Sequence, residues 1–430
     1  MNGQMRTIVQ SDLRQKIAAL LEENMVSGYS KSGQSEFHYA KPSPETYPFQ
    51  FFWDTCFHVF ILCALDKAEM AEKHLTSLFA LQEKDGFVGH IIYWNNVLPG
   101  RSTDIFQSRP SLGIDLVRTH MSALIQPPFA AQAAERIFER TGNEQFLAVL
   151  LPKLKLYYKW IARNRDFDGD GLVTIISPFE SGMDWKPSFD SVLGFPRRKA
   201  DWRLFLRAVS VDVRNFSHDY DLEKIKKKNY FRVKETGMNA IYIQNLYVLA
   251  SLCQTMGDPE EAYFRTLADT ARESLMSIMY DAEDAAFYDV YGPENRKLKI
   301  LTPTIFFPLA IEGMDETVAR KVLDRHFHNK EEFAAPYPLP SVALNDPSFS
   351  PKESLYLWRG PSWVFLDWFL HGILMKYGRR ETAENLTETV IDLIKKSGFR
   401  EYYDPFTGHG MGAEGFTWAG LVIDMIRTKS

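Results

Sequence analysis

"SPFESGMDWKPSFD", Ser177 to Asp190, sets three carboxylates, Glu180, Asp184 and Asp190, among Pro, Gly, Trp and Phe. A solvated face would place its acids among Lys and Ser, and a turn needs one Asp or Asn rather than three. The stretch reads as a loop over something aromatic, held by a scaffold from elsewhere in the chain. Outward from it the periodicity is helical. Leu13, Ile17, Leu20 and Leu21 form one stripe behind Ser11 as N-cap. Leu386, Val390, Leu393 and Ile394 form another, closed by Lys395, Lys396 and Gly398. Similar helices are predicted over 68–83, 129–141, 145–163, 239–256, 259–280, 316–327, 361–377 and 416–428. Strand signals are few. "LVTII" at 172–176 and "AAFYDVYG" at 285–292 are the best, and suit small sheets at a rim.

No Pro/Gly/Ser-rich linker divides the 430 residues. The unusual residues gather in long segments between helices, at 41–55, 84–110, 164–240, 335–362 and 398–416. Loops of that length are uncommon unless they carry function. We therefore expect a single domain over residues 1–430, built of stacked helix pairs with one loop-rich face. Residues 164–238 would form a loop-rich lid.

Composition removes several classes of partner. A net charge of −5 gives no electrostatic footprint for nucleic acid. The longest apolar run, Phe57 to Leu65, is too short to span a bilayer. Three cysteines, Cys56, Cys63 and Cys253, follow no metal or disulfide spacing and suit a reducing compartment. The first 25 residues carry charges throughout, so a cytoplasmic location is expected. "DFDGDG" at 166–171 matches half of a calcium loop, but Ser177 stands where the bidentate Glu belongs. An Asp/Gly turn is the favoured reading there and a structural Ca²⁺ the less favoured one; no metal site is assigned. Oligomeric state is not legible.

Five segments share one composition, an aromatic beside a carboxylate, Arg, Gln or His. They are "QFFWDTCFH" (50–58), "LQEKDGFVGHIIYW" (81–94), the opening stretch, "LWRGPSW" (357–363) and "FREYYDPFTGHGMGAEGFTW" (399–418). Aromatic plus carboxylate suits a sugar: C–H faces stack on Trp, and hydroxyls want charged acceptors and forked donors. A lone Trp-Asp pair is more often a core Trp beside a capping Asp. Five such clusters, all in loops, favour a pocket. Two other classes stay open: a sugar epimerase using His58, His90 and His409 as proton shuttles, and a non-catalytic carbohydrate-binding protein.

The same segments resemble the clan-G glycosidases, glycoside hydrolase family 63 with its trehalase relatives. "ESGMDWKPSFD" is similar to their acid-bearing loop and "FFWDTCFH" to their Trp-Asp segment. "IQPPFAA" (125–131), "GMNAIY" (237–242), "LWRGPSW" and "EYYDPFTGHGMGAEGFTWAG" (401–420) match further motifs, in family order over roughly residues 48–420. The length suggests the compact bacterial branch that includes mannosylglycerate and glucosylglycerate hydrolases. The resemblance implies an all-α (α/α)6 barrel and an inverting α-glycosidase; the long loops 84–110 and 184–235, as candidate lids, suggest exo-action on short substrates. Its substrate would be a small α-glucoside or α-mannoside, glucosylglycerate-like, mannosylglycerate-like or an α-linked disaccharide, and no cofactor would be required.

By the same resemblance Asp184 falls on the general acid and Glu401 on the general base, with Glu414 the competitor for the base role. Trp53 and Asp54 fall on the sugar subsite, with Gln50, His90, Gln126, Glu180, Arg359, Trp363 and Trp418 completing the substrate-binding set. Trp185 and Phe179 are the expected apolar wall beside the acid. Lys186, Lys234, Glu235, Gly89 and Asp367 depart from the family pattern and leave the leaving-group subsite open.

Overall fold

The computed structural model describes residues 3–31, 33–94, 106–107, 120–352 and 356–427. In chain order its helices are α1 (Gly3–Glu23), α2 (Phe52–Ala64), α3 (Ala68–Leu78), α4 (Ala130–Thr141), α5 (Glu144–Arg165), α6 (Trp202–Ser217), α7 (Leu222–Lys228), α8 (Thr236–Thr255), α9 (Glu261–Ile278), α10 (Glu316–Val322), α11 (Val364–Lys376), α12 (Arg380–Ser397) and α13 (Val422–Arg427). Two 3₁₀ segments, Pro303–Ala310 and Thr417–Leu421, do the work of helices.

Apolar pattern sorts these into two layers. Every residue of α2 is buried, as are nearly all of α8 and of Pro303–Ala310. Such segments, apolar on all sides, belong inside. The inner segments run α2, α4, α8, Pro303–Ala310, α11, then Thr417–Leu421 continued by α13. Each packs on the next, and the last returns to α2, so the ring closes. The outer helices bury only one stripe. α3 packs on α2, α5 on α4 and α8, α9 on α8, α10 on Pro303–Ala310, α12 on α11 and α13, and α1 on Thr417–Leu421. This is the (α/α)6 barrel. The predicted stripe of α12 faces inward as read, and Gly398 ends it at φ +73° with its N–H on the Ile394 carbonyl at 2.8 Å.

Small antiparallel sheets decorate the ring ends. They pair Met25–Ser30 with Ser35–Ala40, Gln50–Phe51 with Ile91–Ile92, Tyr280–Asp281 with Ala286–Phe287, and Arg400–Tyr403 with Gly410–Glu414. A three-stranded one joins Val233–Lys234, Asp289–Tyr291 and Arg296–Leu298.

Four expectations change. α2 is a helix where only an apolar run was legible, because a segment buried all round shows no 3.6-residue contrast. "LVTII" forms no strand; only Ile175 bridges to Val233. Asn239 instead clamps it to α8, accepting from Val173 N–H at 2.7 Å and donating to the Val173 carbonyl at 3.0 Å. Residues 164–238 are not simply loop, since they carry α6 and α7. Around 416–428 the predicted single helix is a 3₁₀ turn followed by α13.

The Asp166–Gly171 turn uses its acids internally. Asp166 accepts from the N–H groups of Gly169, Asp170 and Gly171 at 2.7, 3.1 and 2.9 Å. Arg232 and Lys234 pair with Asp168, and Lys234 also with Asp170. Arg232 and Lys234 thus offset the charges of Asp168 and Asp170.

Candidate active site

At the loop-rich end the ring opens into a cavity of about 820 Å³. Its wall is assembled from distant stretches: 45–54, the opening loop, α6, 357–363 and 401–418.

The opening loop owes its shape to the acids flanking Asp184. Glu180 is fully buried. Its carboxylate accepts from Ile125 N–H at 3.0 Å and Ile176 N–H at 2.8 Å, and takes both arms of the equally buried Arg165 at 2.5 and 2.8 Å. Asp190 pairs with buried Arg359, whose Nη1 reaches Oδ2 at 3.0 Å. Between these anchors Gly182 has φ +72°, and a Cβ there would lie 2.4 Å from the Trp53 ring. The loop therefore presses flat onto Trp53 and presents Asp184, half-buried, to the cavity. Trp185 and Phe179 line the same cavity, their rings edge to face at 5.6 Å.

Glu401 comes from the hairpin Arg400–Tyr403/Gly410–Glu414. Strand alternation turns neighbours to opposite faces, so Arg400 points out to pair with Glu414 while Glu401 points in. Tyr47 donates to Glu401 Oε1 at 2.7 Å and Ala413 N–H to Oε2 at 2.8 Å. Gly412, at φ +68°, leaves room for that carboxylate; a Cβ would fall 2.6 Å from Oε2. Glu414, by contrast, is 81% exposed and lies off the cavity wall.

Trp53 and Asp54 open α2, at the cavity floor. Trp53 N–H donates to Gln126 Oε1 at 3.1 Å, and Trp418 Nε1 donates to Asp54 Oδ1 at 2.7 Å. Trp418 stands edge-on to Trp53 at 5.1 Å, and Trp358 stacks flat on Trp363 at 3.9 Å. Burial pushes Asp54 up to about 7. Trp418 and a backbone N–H pull it down, while Glu401 and Asp184 push it further up. Asp54 thus feels both carboxylates at once.

Of the residues read from sequence, Asp184, Glu401, Trp53, Asp54, His90, Gln126, Trp363 and Trp418 line the cavity. Gln50, Glu180 and Arg359 do not, which corrects the reading of them as substrate contacts. Gln50 is fully buried and accepts from Trp94 Nε1 at 2.8 Å. Glu180 and Arg359 are committed to the ion pairs that brace the loop. Lys186 is likewise buried, held by Glu235, by Asp289 at 2.9 Å and by Thr304 Oγ1 at 2.8 Å. The three histidines do not converge. His58 is buried against Thr417 Oγ1 at 2.7 Å, His409 is exposed, and His90 lines the wall with Nδ1 on Ser122 Oγ at 2.5 Å. Burial lowers His90 to about 3, so it stays neutral. Sequence reading assigned no individual role to Tyr47, Gln107, Asp212, Trp358 and Phe416, all on the wall. Trp358 and Phe416 lay inside quoted segments; the others belong to no motif, and only folding brings them in.

The family described as "Mannosylglycerate hydrolase MGH1-like glycoside hydrolase domain" matches residues 47–419. A mannosylglycerate hydrolase of Rubrobacter radiotolerans is 28% identical, over 95% of this chain and 96% of its own. A glucosylglycerate hydrolase of Mycolicibacterium hassiacum is 26% identical, over 89% and 93%. The crystal structure of a family 63 mannosylglycerate hydrolase from Thermus thermophilus, in complex with Tris, superposes with a TM-score of 0.83 at 25% identity, covering 96% of this chain and all of that one. The matched span begins at the tyrosine that holds Glu401 and ends just after the tryptophan that holds Asp54, and on it the chain belongs to the MGH1-like glycoside hydrolases of family 63.

Proposed function

We propose that the protein hydrolyses a small α-glucoside or α-mannoside with inversion, Asp184 giving its proton to the leaving oxygen and Glu401 activating the water. The observation that carries this reading is the arrival of Asp184 and Glu401, from unconnected loops, on one cavity wall with Asp54 sensing both. Inversion needs two carboxyl groups about 6.5–9.5 Å apart, with water admitted between base and sugar. Glu401 is equipped for the base role. Tyr47 and Ala413 fix both its oxygens, so one orientation of the carboxylate is kept ready. Trp53 and Trp418 offer edges and faces to the sugar ring, and Asp54 accepts its hydroxyls.

A cavity of about 820 Å³ suits a disaccharide-sized ligand and so exo-action, with residues 164–238 as cover. Both proton transfers belong to side chains, so no cofactor enters the reading. Three buried free cysteines support a reducing, cytoplasmic compartment. The relatives' names make glycosides of glycerate the first substrates to try. The epimerase reading loses its basis once His58 and His409 lie away from the cavity.

The test is incubation of wild type and Asp184→Asn with glucosylglycerate, mannosylglycerate, trehalose, kojibiose, nigerose and maltose, following the first-formed anomer by proton NMR. β-Sugar from wild type and none from the variant is expected. An α-sugar formed first would refute inversion.

A further inference from the structure

Ser122 lies behind the cavity wall, on a segment zipped to His90 and Ile91. His90 N–H donates to the Leu124 carbonyl at 2.8 Å, and Ser122 N–H to the Ile91 carbonyl at 3.0 Å. The His90 carbonyl accepts Phe52 N–H at 2.9 Å, where α2 begins. Gly89 permits this approach: a Cβ there would lie 2.4 Å from the Ser122 carbonyl oxygen and 3.1 Å from Ser122 Oγ. Ring and hydroxyl are therefore held in place by backbone on both sides.

A hydroxyl has one hydrogen to give and two lone pairs to accept with. Ser122 Oγ accepts Ile91 N–H at 3.1 Å, and its other neighbour is His90 Nδ1 at 2.5 Å. Burial keeps the ring neutral, so it carries one hydrogen, on Nδ1 or on Nε2. With the hydrogen on Nδ1, Ser122 Oγ would accept twice. Its own hydrogen would then find no acceptor among the described residues, at a side chain only 1% exposed. A buried donor left unpaired is costly. With the hydrogen on Nε2, Ser122 donates to Nδ1 and every group here is paired.

Nε2 is the nitrogen left to the cavity. His90 lines the wall, and Nε2 is not sealed off as the partnerless His58 Nδ1 and His74 Nε2 are. The same cavity presents the carboxyl groups of Asp54, Asp184 and Glu401. Carboxylates take the hydrogens of sugar hydroxyls, while the oxygens of those hydroxyls want N–H donors. A neutral ring with its hydrogen on Nε2 supplies one.

Resting on the glycosidase reading above, we infer that Ser122 is a positioning residue: its hydroxyl donates to His90 Nδ1, fixes the ring as the Nε2–H tautomer, and so makes His90 a hydrogen-bond donor to a hydroxyl oxygen of the glycoside. A different hydrogen position would present the substrate with a second lone pair instead of a donor.

The first measurement is long-range proton–nitrogen NMR of the full chain labelled at its histidine nitrogens, which tells the two tautomers of a ring apart. His90→Phe assigns the His90 signals by their loss. Wild type is expected to hold His90 wholly as Nε2–H, and Ser122→Ala to give a mixture or the Nδ1–H form. Nδ1–H in wild type would overturn the inference while leaving the glycosidase reading intact, and so would an unchanged pattern in Ser122→Ala. The second measurement is kcat/KM on the glycoside that wild type hydrolyses. Ser122→Ala is expected to lower it by about tenfold, the scale of one hydrogen bond. In the His90→Phe background the same change should cost nothing further, because no ring nitrogen remains to be set. An equal loss in both backgrounds would mean that the hydroxyl serves only the Ile91 N–H, and would overturn the inference. Failure of wild type to release sugar from any glycoside would refute the glycosidase reading and the donor role with it, while the NMR pattern still decides the tautomer. Should either variant fail to fold, Ser122→Gly and His90→Gln take their places.

Discussion

Tyr47 reaches across from the segment before α2 to hold Glu401 Oε1 at 2.7 Å, opposite the Ala413 N–H that holds Oε2. The carboxylate is thus gripped from both ends of the chain. Glu401→Gln is expected to lower kcat by about 10²–10⁴-fold, the range of one acid–base catalyst. Tyr47→Phe leaves the acid in place but loosens it, and should lower kcat by about tenfold with KM little changed. Steady-state kinetics on the substrate found above checks both. A Tyr47→Phe enzyme with wild-type kcat would show that the backbone N–H alone suffices.

Asp54 supplies a pH signature. Its burial-raised value of about 7 means that it carries a proton in mildly acidic solution and accepts sugar hydroxyls fully only above that. The kcat/KM profile should rise with pH through about 7. Trp418→Phe deletes the donor that pulls the value down, so the rising limb should move to higher pH; Asp54→Asn should abolish the limb and lower the plateau. Stability has the opposite slope. The unfolded chain releases this proton near its ordinary value of about 4 and the folded one near 7, so Asp54 weakens the fold as pH climbs between those values. The Tm of Asp54→Asn should fall less across that window. A limb unmoved in Trp418→Phe would rule Asp54 out as its source.

Lys186 tests the floor beneath the acid loop. Its ammonium is 1% exposed and is the shared partner of Glu235 and Asp289. Lys186→Met would leave two buried carboxylates facing each other, and should cost about 3–5 kcal/mol by denaturant unfolding. Lys16→Ala, at the exposed Asp12 pair, should change stability by less than about 1 kcal/mol. Similar effects of the two would mean that Lys186 is better hydrated than its burial indicates.

Gly182→Ala should damage function more than fold. The new methyl would press into the Trp53 ring in a left-handed backbone conformation that Ala adopts poorly. The loop must lift, and Asp184 with it. Activity should drop by about 10²-fold, on the principle that small misplacements of catalytic groups are expensive, while far-UV circular dichroism keeps its helical signature. Undiminished turnover would mean that the loop reseats without moving the acid.

Much of this was legible in the sequence for reasons that differ by layer. The outer helices announce themselves by one-faced stripes, as α12 does. The inner ones do not: α2 is apolar wherever it looks, so its helix disappears into a run of Phe, Ile and Cys. The site motifs were readable as neighbours in sequence, which brought Trp53 with Asp54 and Tyr402 with Glu401. Sequence adjacency misled where a charged residue near the site serves its backbone: Glu180 and Arg359 brace the loop from behind. It was silent on Tyr47, whose hold on Glu401 depends only on where a turn comes to rest.

The ring closes by packing Thr417–Leu421 and α13 against α2, and Trp418 on one side of that seam donates to Asp54 on the other. The cavity therefore straddles the place where the first inner helix meets the last. A chain emerging from the ribosome can stack its outer helices early, yet cannot complete that cavity until residues beyond Trp418 have cleared the exit tunnel. Activity arrives in one step with closure, and a clip that frees the final turn would silence the enzyme while leaving most of its helices standing.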